Sequence, residues 1–352
     1  MKKILKIVGI IIAVLVGLTG ICLLTLTLTD YNPEAVIDLE VSSNTEEIID
    51  LKDPFIIYTW NIGYGGLGAT EDFFLDGGTK IRADEKAEVE SFLDNIVEAL
   101  SGFDTDFAMI QEIDIKSQRA YHINELELIL DVFDTYDYSF AKNYDVLYVP
   151  IPFPPVGDVE AGLATFSQYN ISDAKRHSFD SNYDWPLNTI MLDRCFMVSE
   201  IELPDQEGNL ILINAHFSAY DDGTLREAQL KAIKDYVISM YDKGHYVVLG
   251  GDWNQTFESV DNGQYPIYQN GELFLPSVVP NDWVEEGWTL GINDNAPTYR
   301  LLNAPYIEGE TQVGIIDGFL VSPNITVEMV EVIDLGFENS DHNPVKMVFR
   351  FK

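Results

Sequence analysis

The sequence predicts a layered fold that mixes strands and helices, α/β or α+β in class. Three observations carry that expectation. Strand and helix patterns alternate from Pro54 onward. Two stretches carry a one-sided apolar face at helical spacing. The strands are short, apolar, and repeatedly end in polar residues. With 46% hydrophobic residues in 352, the chain can build one large domain or two small ones with a sizeable core.

Taken in order, the chain opens with Lys2, Lys3 and Lys6, then an uncharged run from Ile7 to Thr29. About 20 apolar residues suffice for a helix to cross a bilayer. A cleaved signal peptide is the competing reading, but its apolar core is about 7–15 residues and ends at a small-x-small site. This run continues through Leu23-Leu24-Thr25-Leu26 without such a site, so an uncleaved anchor is preferred. A lipoprotein reading of Leu18 to Cys22 is set aside, because Ile21 precedes the cysteine. The basic flank belongs in the cytoplasm. The division is therefore a cytoplasmic tip (1–6), a transmembrane anchor (7–29), an acidic spacer (30–52) and an extracellular domain (53–352), on a single-pass protein of the cell membrane.

Within the outer domain, Phe55 to Trp60 reads as a strand ending at Asn61. A helix follows over 83–100, with Phe92, Leu93, Ile96, Val97 and Leu100 on one face. Residues 107–110 form a short strand ending at Gln111-Glu112. Further strands are expected over 161–166, 194–201 and 210–216. The helix over 224–241 has the clearest face, from Leu225 to Met240, and Thr224-x-x-Glu227 fits a capping box at its start. Strands over 246–249, 314–321 and 345–351 complete the pattern. There is no internal repeat and no low-complexity region.

The formal charge is −37. Without the three N-terminal lysines, 21 minus 3 leaves 18 basic residues against 58 acidic ones, or −40. Nonspecific nucleic-acid binders carry a basic footprint, so this body is a poor candidate for one. Of the two cysteines, Cys22 lies in the apolar run, which leaves Cys195 without a disulfide partner. It reads as a small buried hydrophobe.

The strand ends share one character. The run from His245 to Leu249 leads through Gly250-Gly251 into Asp252-Trp253-Asn254. Residues at i and i+2 of an extended segment project to one side, so Asp252 and Asn254 can face one small object. Asn61, Glu112, Asn214 and His216 end other strands, Asp317 interrupts an apolar one, and Asp341-His342 precedes the last. Singly, each has a plain reading as a turn residue, a solvated end or a satisfied core group. Together they place carboxylates, amides and two of five histidines at comparable positions. Oxygen donors suit Mg²⁺, Mn²⁺ or Ca²⁺, and no H-x-x-x-H or C-x-x-C spacing points to zinc. Histidine beside aspartate suits acid–base work near neutral pH. The chemistry suggested is metal-assisted phosphoester hydrolysis.

Six strings carry a resemblance: Thr59-Trp60-Asn61, Gln111-Glu112, Asn214-Ala215-His216-Phe217, Gly251-Asp252-Trp253-Asn254, Ile316-Asp317-Gly318 and Ser340-Asp341-His342-Asn343-Pro344. In this order they resemble the motifs of the endonuclease/exonuclease/phosphatase superfamily, across residues 55–352. The resemblance implies a four-layer α/β/β/α sandwich of two mixed sheets flanked by helices, with the site at one edge of the sheets. It implies Glu112 as principal metal ligand, with Asn61 and Asp341 beside it. Asp252 would orient or deprotonate the attacking water, and Asn254 would help hold it. His216 would contact the scissile phosphate. His342, oriented by Asp317, would be the other catalytic imidazole, as base or as phosphate stabiliser. The implied cofactor is Mg²⁺, with Mn²⁺ or Ca²⁺ as alternatives.

The substrate is less legible. The tether and the acidic body favour a lipid head group or a small phosphoester over nucleic acid. A membrane-tethered nuclease and a non-catalytic binding module are the alternatives, and every motif position holds the residue type that catalysis needs. Asn143 and Arg300 are expected to contact substrate, with Arg300 preferred to Arg194. The proline-rich stretch 148–155 is expected to cover the domain's own core rather than to touch lipid. A monomer is expected.

Overall fold

A computed structural model describes residues 1–51, 54–179, 183–204, 206–265 and 276–352. Two sheets lie face to face. One has six strands in the order Ile325–Val332, Val345–Phe351, Phe55–Asn61, Phe107–Asp114, Gly157–Ser167 and Asp137–Val149. The other has seven, in the order Val36–Asp38, Asp173–Ser178, Cys195–Ile201, Leu210–His216, Tyr246–Asp252, Asp317–Val321 and Thr289–Gly291. Each contains one parallel pair at its centre: Phe55–Asn61 with Phe107–Asp114, and Leu210–His216 with Tyr246–Asp252. The other pairings are antiparallel, so both sheets are mixed.

Strand alternation builds the layers. Along 210–213, Leu210 and Leu212 turn inward to meet Ile57, Phe107, Met109 and Phe349 of the opposite sheet. Ile211 and Ile213 turn outward against Leu230, Ile233 and Val237 of the helix Thr224–Asp242. On the other side, Ala108 and Ile110 meet Val89, Leu93, Ile96 and Leu100 of the helix Lys86–Ser101. Strands apolar on both faces are what a sheet covered on both sides requires. The α/β/β/α sandwich is thus the observed fold.

Several boundaries and roles differ from expectation. The helix at 224 is capped not by a Thr224–Glu227 box but by Asp221, whose Oδ2 accepts from the backbone N–H groups of Gly223, Leu225 and Arg226. Thr224 instead gives its hydroxyl proton to Asp222. A capping box does form at the other long helix, between Glu85 and Glu88. The expected strand over 314–321 breaks in two, because Ile316 and Asp317 both donate their N–H groups to Thr298 Oγ1. Val313–Gly314 then pairs with Tyr299–Arg300, while Asp317–Val321 joins the seven-stranded sheet.

The segment expected as a spacer is part of the domain. Val36–Asp38 is an edge strand, Leu39 and Val41 pack on the inter-sheet core, and Ile49 is buried within it. Packing of Leu39, Val41 and Ile49 against the core outweighs the acidic character of the segment around them. The expected boundary at 52/53 lies outside the described residues. Cys195 is buried and free, as expected.

The stretch 148–155 also departs from expectation. Val149 and Val156 are buried at its ends, but Phe153 is 97% exposed and Ile151 55% exposed, so it does not cover the core. The N-terminal helix Lys2–Leu28 is long and apolar enough to cross a membrane; a signal sequence would meet the same test. Its last turns pack on the domain through Leu26, which is buried with Val149, Val156 and Ile190.

Candidate active site

The central parallel strands of the two sheets end at one cavity of about 370 Å³. Its floor comes from sheet register. His216 lies beside Asp252 across the parallel pair, and Asp317 lies beside Asp252 on the other side. Three neighbouring strands thus present an imidazole and two carboxylates in a row. Asn61 comes from the opposite sheet and donates from Nδ2 to Asp252 Oδ2 at 3.0 Å and to Glu112 Oε1 at 3.3 Å. The two sheets are tied directly beneath. Gln111 donates to Thr59 Oγ1 and Asn214 Oδ1, and Asn214 donates to the carbonyls of Ile110 and Ala164. Asn214 is therefore a buried tie between the sheets.

Two acidic or amide positions hold unusual backbone. Between Ile110 and Ile113 the Phe107–Asp114 strand carries a bulge against its antiparallel neighbour, and Glu112 sits there at φ 57°. The bulge turns Gln111 into the sheet interface and Glu112 into the cavity. Asn254 has φ 48°. Such conformations cost about 1–3 kcal/mol each and persist only where surrounding contacts enforce them. Here Asn254 N donates to Asp252 Oδ1 at 2.8 Å and Asn254 Nδ2 to the Phe217 carbonyl at 2.8 Å. Gly251, at φ 147°, is required: a Cβ there would lie 1.9 Å from the Ala215 carbonyl oxygen. The motif tryptophans face away from the cavity and hold its loops. Trp60 donates to the His342 carbonyl and Trp253 to that of Gly318.

The imidazoles differ electrically. His342 Nδ1 lies 2.9 Å from Asp317 Oδ2, and its Nε2 lies 3.7 Å from Asp252 Oδ2 and 3.9 Å from Asp341 Oδ2. Burial opposes its charge, but Asp317, Asp252 and Asp341 outweigh burial and hold it well above the usual histidine range. His216 Nε2 lies 3.3 Å from Asp252 Oδ2 and 3.7 Å from Glu112 Oε1. Burial, with Arg194, His342 and Arg119 nearby, holds it well below that range. Burial also pushes Asp252 up to about 7 and Asp341 up to about 6; His342 pulls each of them down without cancelling that effect.

The donor set fits a hard cation. Glu112, Asp252 and Asp341 line one cavity and, among the described residues, none forms an ion pair with Lys or Arg. Crowded carboxylates of this kind are stabilised by a divalent ion with oxygen ligands. A tighter group, Asp252, Asp317 and His342, has one atom from each within 4.8 Å of the others. There the His342–Asp317 hydrogen bond already occupies Nδ1, which makes that pair an oriented imidazole rather than a ligand set. Asn61 presents its amide N–H to the carboxylates while its Oδ1 accepts from Gly63 N, so ligation through oxygen would need that amide to turn over.

The two expected substrate contacts fare differently. Asn143 is buried in the cavity wall. Arg300 is 1% exposed and donates to the carbonyls of Leu67, Gly68 and Glu71, bracing that turn. The guanidinium is held by backbone, and Arg300 also borders the cavity. Arg194 lines the cavity as well; among the described residues its side chain forms no carboxylate ion pair and one hydrogen bond, from Nη1 to the His216 carbonyl at 3.4 Å. Tyr64, Arg119 and Tyr220 also line the cavity. Arg119 makes a two-point ion pair with Asp114 and stacks on the Tyr64 ring at 3.8 Å; Tyr220 donates to Asp76. No motif marks these three in the sequence.

The sequence profile of the endonuclease/exonuclease/phosphatase family matches residues 58–342. Comparison with curated proteins by sequence finds no match. Among solved structures, an endonuclease/exonuclease/phosphatase from Beutenbergia cavernae is similar at TM-score 0.57 and 17% identity, over 85% of this chain and 72% of that one. A family protein from Bacteroides vulgatus is similar at 0.52 and 14%, over 86% and 100%. TDP2 from D. rerio, solved with a single-strand DNA product, is similar at 0.52 and 12%, over 85% and 100%. These likenesses agree with the sandwich described above. With the profile spanning most of the chain and its motifs gathered around one cavity, the protein belongs to the endonuclease/exonuclease/phosphatase family, whose members hydrolyse phosphoesters.

Proposed function

We propose that the protein is a Mg²⁺-dependent phosphoesterase, tethered by its N-terminal helix, with its catalytic domain on the outer side of the membrane. The favoured substrates are lipid head groups or small phosphoesters, and the working unit is a monomer. One observation carries the reading: Asn61, Glu112, His216, Asp252, Asn254, Asp317, Asp341 and His342, distant in sequence, meet at the end of both sheets. An outer domain with an excess of 40 acidic residues, 58 against 18, disfavours a polyanionic substrate.

Glu112, Asp341 and a reoriented Asn61 would hold the cation. Bound there, Mg²⁺ supplies charge neutralisation at a phosphoryl oxygen. Asp252, with its Oδ1 fixed by Asn254 N, takes a proton from the attacking water as that oxygen bonds to phosphorus. His216 and His342 contact phosphoryl oxygens from either side of Asp252. Asp317 fixes the ring orientation of His342 and favours its cationic form, which suits a stabiliser of developing negative charge better than a base. Arg194 supplies a further positive contact in place of Arg300. The bond from phosphorus to the leaving oxygen breaks, that oxygen takes a proton from solvent, and Asp252 returns its own proton to solvent.

The test is hydrolysis by the purified protein of plasmid DNA, RNA, sphingomyelin, phosphatidylinositol phosphates and a simple bis-ester, with Mg²⁺ and with chelator. Cleavage above an Asp252→Ala, His342→Ala control is expected, strongest on lipid or small esters. No cleavage of any of them overturns the enzyme reading, and faster cleavage of DNA overturns the substrate preference.

A further inference from the structure

The wall of the cavity opposite the catalytic groups is apolar, and it continues to the N-terminal helix. Ile151, Leu187 and Ile190 line the catalytic cavity. The same three residues, with Pro150 and Pro186, line a groove closed on its other side by Thr19, Cys22, Leu23 and Leu26 of the helix. Trp185 donates its indole N–H to Thr27 Oγ1 at 3.0 Å. The two loops that frame the cavity mouth are therefore seated on the last turns of the apolar helix. At about 1.5 Å per residue, Thr19 lies roughly 13 to 14 Å from the helix end at Leu28, close to the depth of one hydrocarbon leaflet. These loops also expose large apolar side chains: Phe153 at 97%, Trp185 at 59% and Leu187 at 49%. Exposed apolar and aromatic groups beside a spanning helix are the composition of a membrane interface.

We propose that the loops carrying Phe153 and Trp185 sit in the domain-side leaflet of the bilayer, so that the cavity opens to the membrane and takes a membrane-borne amphiphile. Its phosphoester would reach Glu112, Asp252 and His342, and its apolar part would lie along Ile151, Leu187 and Ile190. The occupant of the exposed collar is the lipid bilayer, because the collar is continuous with a helix long and apolar enough to enter it. The substrate assignment rests on the phosphoesterase reading, while the seating of the loops does not.

Two measurements on the full chain in phosphatidylcholine vesicles test it. In the first, Phe153→Cys carries an environment-sensitive fluorophore; its emission is expected to shift to the blue and to be quenched by bromine on the lipid acyl chains. Water-like emission without quenching overturns the seating. In the second, vesicles also carry sphingomyelin and phosphatidylinositol phosphates, and bis(p-nitrophenyl) phosphate is supplied in solution. Phe153→Asp is expected to slow lipid hydrolysis about tenfold, the weight of one buried aromatic side chain, with the soluble ester cleaved as before. Phe153→Leu should restore the lipid rate. Equal loss on both substrates, or on neither, overturns membrane delivery. Hydrolysis of neither by the unmodified chain counts against the phosphoesterase reading, and the fluorescence result then still decides the seating.

Discussion

His342 and Asp317 meet across the two sheets, with His342 Nδ1 2.9 Å from Asp317 Oδ2. Asp317 belongs to the seven-stranded sheet, while His342 lies just before Val345–Phe351, a strand of the other. The pair makes the geometry of the imidazole depend on the packing of the whole sandwich. Asp317→Asn keeps the volume and loses the charge. It should lower kcat by about 10²–10³, the usual weight of a group that stabilises developing charge, with KM little changed and the alkaline limb of the pH profile moved down. A kcat within twofold of wild type would contradict the assigned positioning role.

Cation binding has a readout independent of turnover. Ligand at 100 times its Kd stabilises a fold by about 2.7 kcal/mol, and for a domain of this size that is a Tm gain of roughly 5 °C. Mg²⁺ should raise the Tm of the wild type by about that amount, and chelator should reverse it. Glu112→Gln should lose most of the gain while keeping its metal-free Tm. An equal gain in that variant would remove Glu112 from the ligand set.

The two arginines should separate cleanly. Arg194→Ala removes a cavity cation with a single weak contact, so it should raise KM several-fold and leave Tm nearly unchanged. Arg300→Ala takes the donor from the carbonyls of Leu67 and Glu71, while that of Gly68 keeps the Glu71 N–H. Each such loss costs about 1–3 kcal/mol, so thermal unfolding should show a drop of several degrees. The opposite pattern would return Arg300 to the substrate.

His177 predicts an acid weakness far from the site. Its ring stacks on Phe196 and meets Tyr236, and burial lowers its pKa to about 4. The unfolded chain protonates this group below about 6.5 and the folded chain only below about 4, so the unfolded state binds more protons in between. Stability is therefore lost as pH falls through that window. His177→Phe keeps the stacking and cannot take up a proton, so its Tm should fall less than that of the wild type between pH 7 and pH 4.5. Identical losses would show that the ring does not carry the effect.

Much of this site was legible because it is built from strand ends. Period-two alternation placed Asp252 and Asn254 on one side, and apolar runs located the strands that carry Asn61, His216 and Asp317. What escaped depends on contacts between distant segments. Nothing local marks the bulge that turns Glu112 into the cavity, since it arises from pairing with the Gly157–Ser167 strand. Arg300 read as a phosphate ligand because its residue type suits one, but the carbonyls that hold it come from a turn more than 200 residues away in sequence. The segment around Val36 and Ile49 read as a spacer because it is acidic and polar with few large apolar residues. Tertiary burial recruits them one at a time. The loop at Phe153 was expected to fold over the core, and its exposure became informative only beside the N-terminal helix.

On the proposed reading, the gathered strand ends form a working hydrolytic site with Asp252 at its centre. Asp252→Asn tests it most directly, because the side chain is buried and the change is isosteric. With Mg²⁺ and a phosphodiester cleaved by the wild type, the variant should retain less than about one hundredth of kcat, and far-ultraviolet circular dichroism and Tm should stay those of a folded chain. Undiminished cleavage by a folded Asp252→Asn protein would contradict the account.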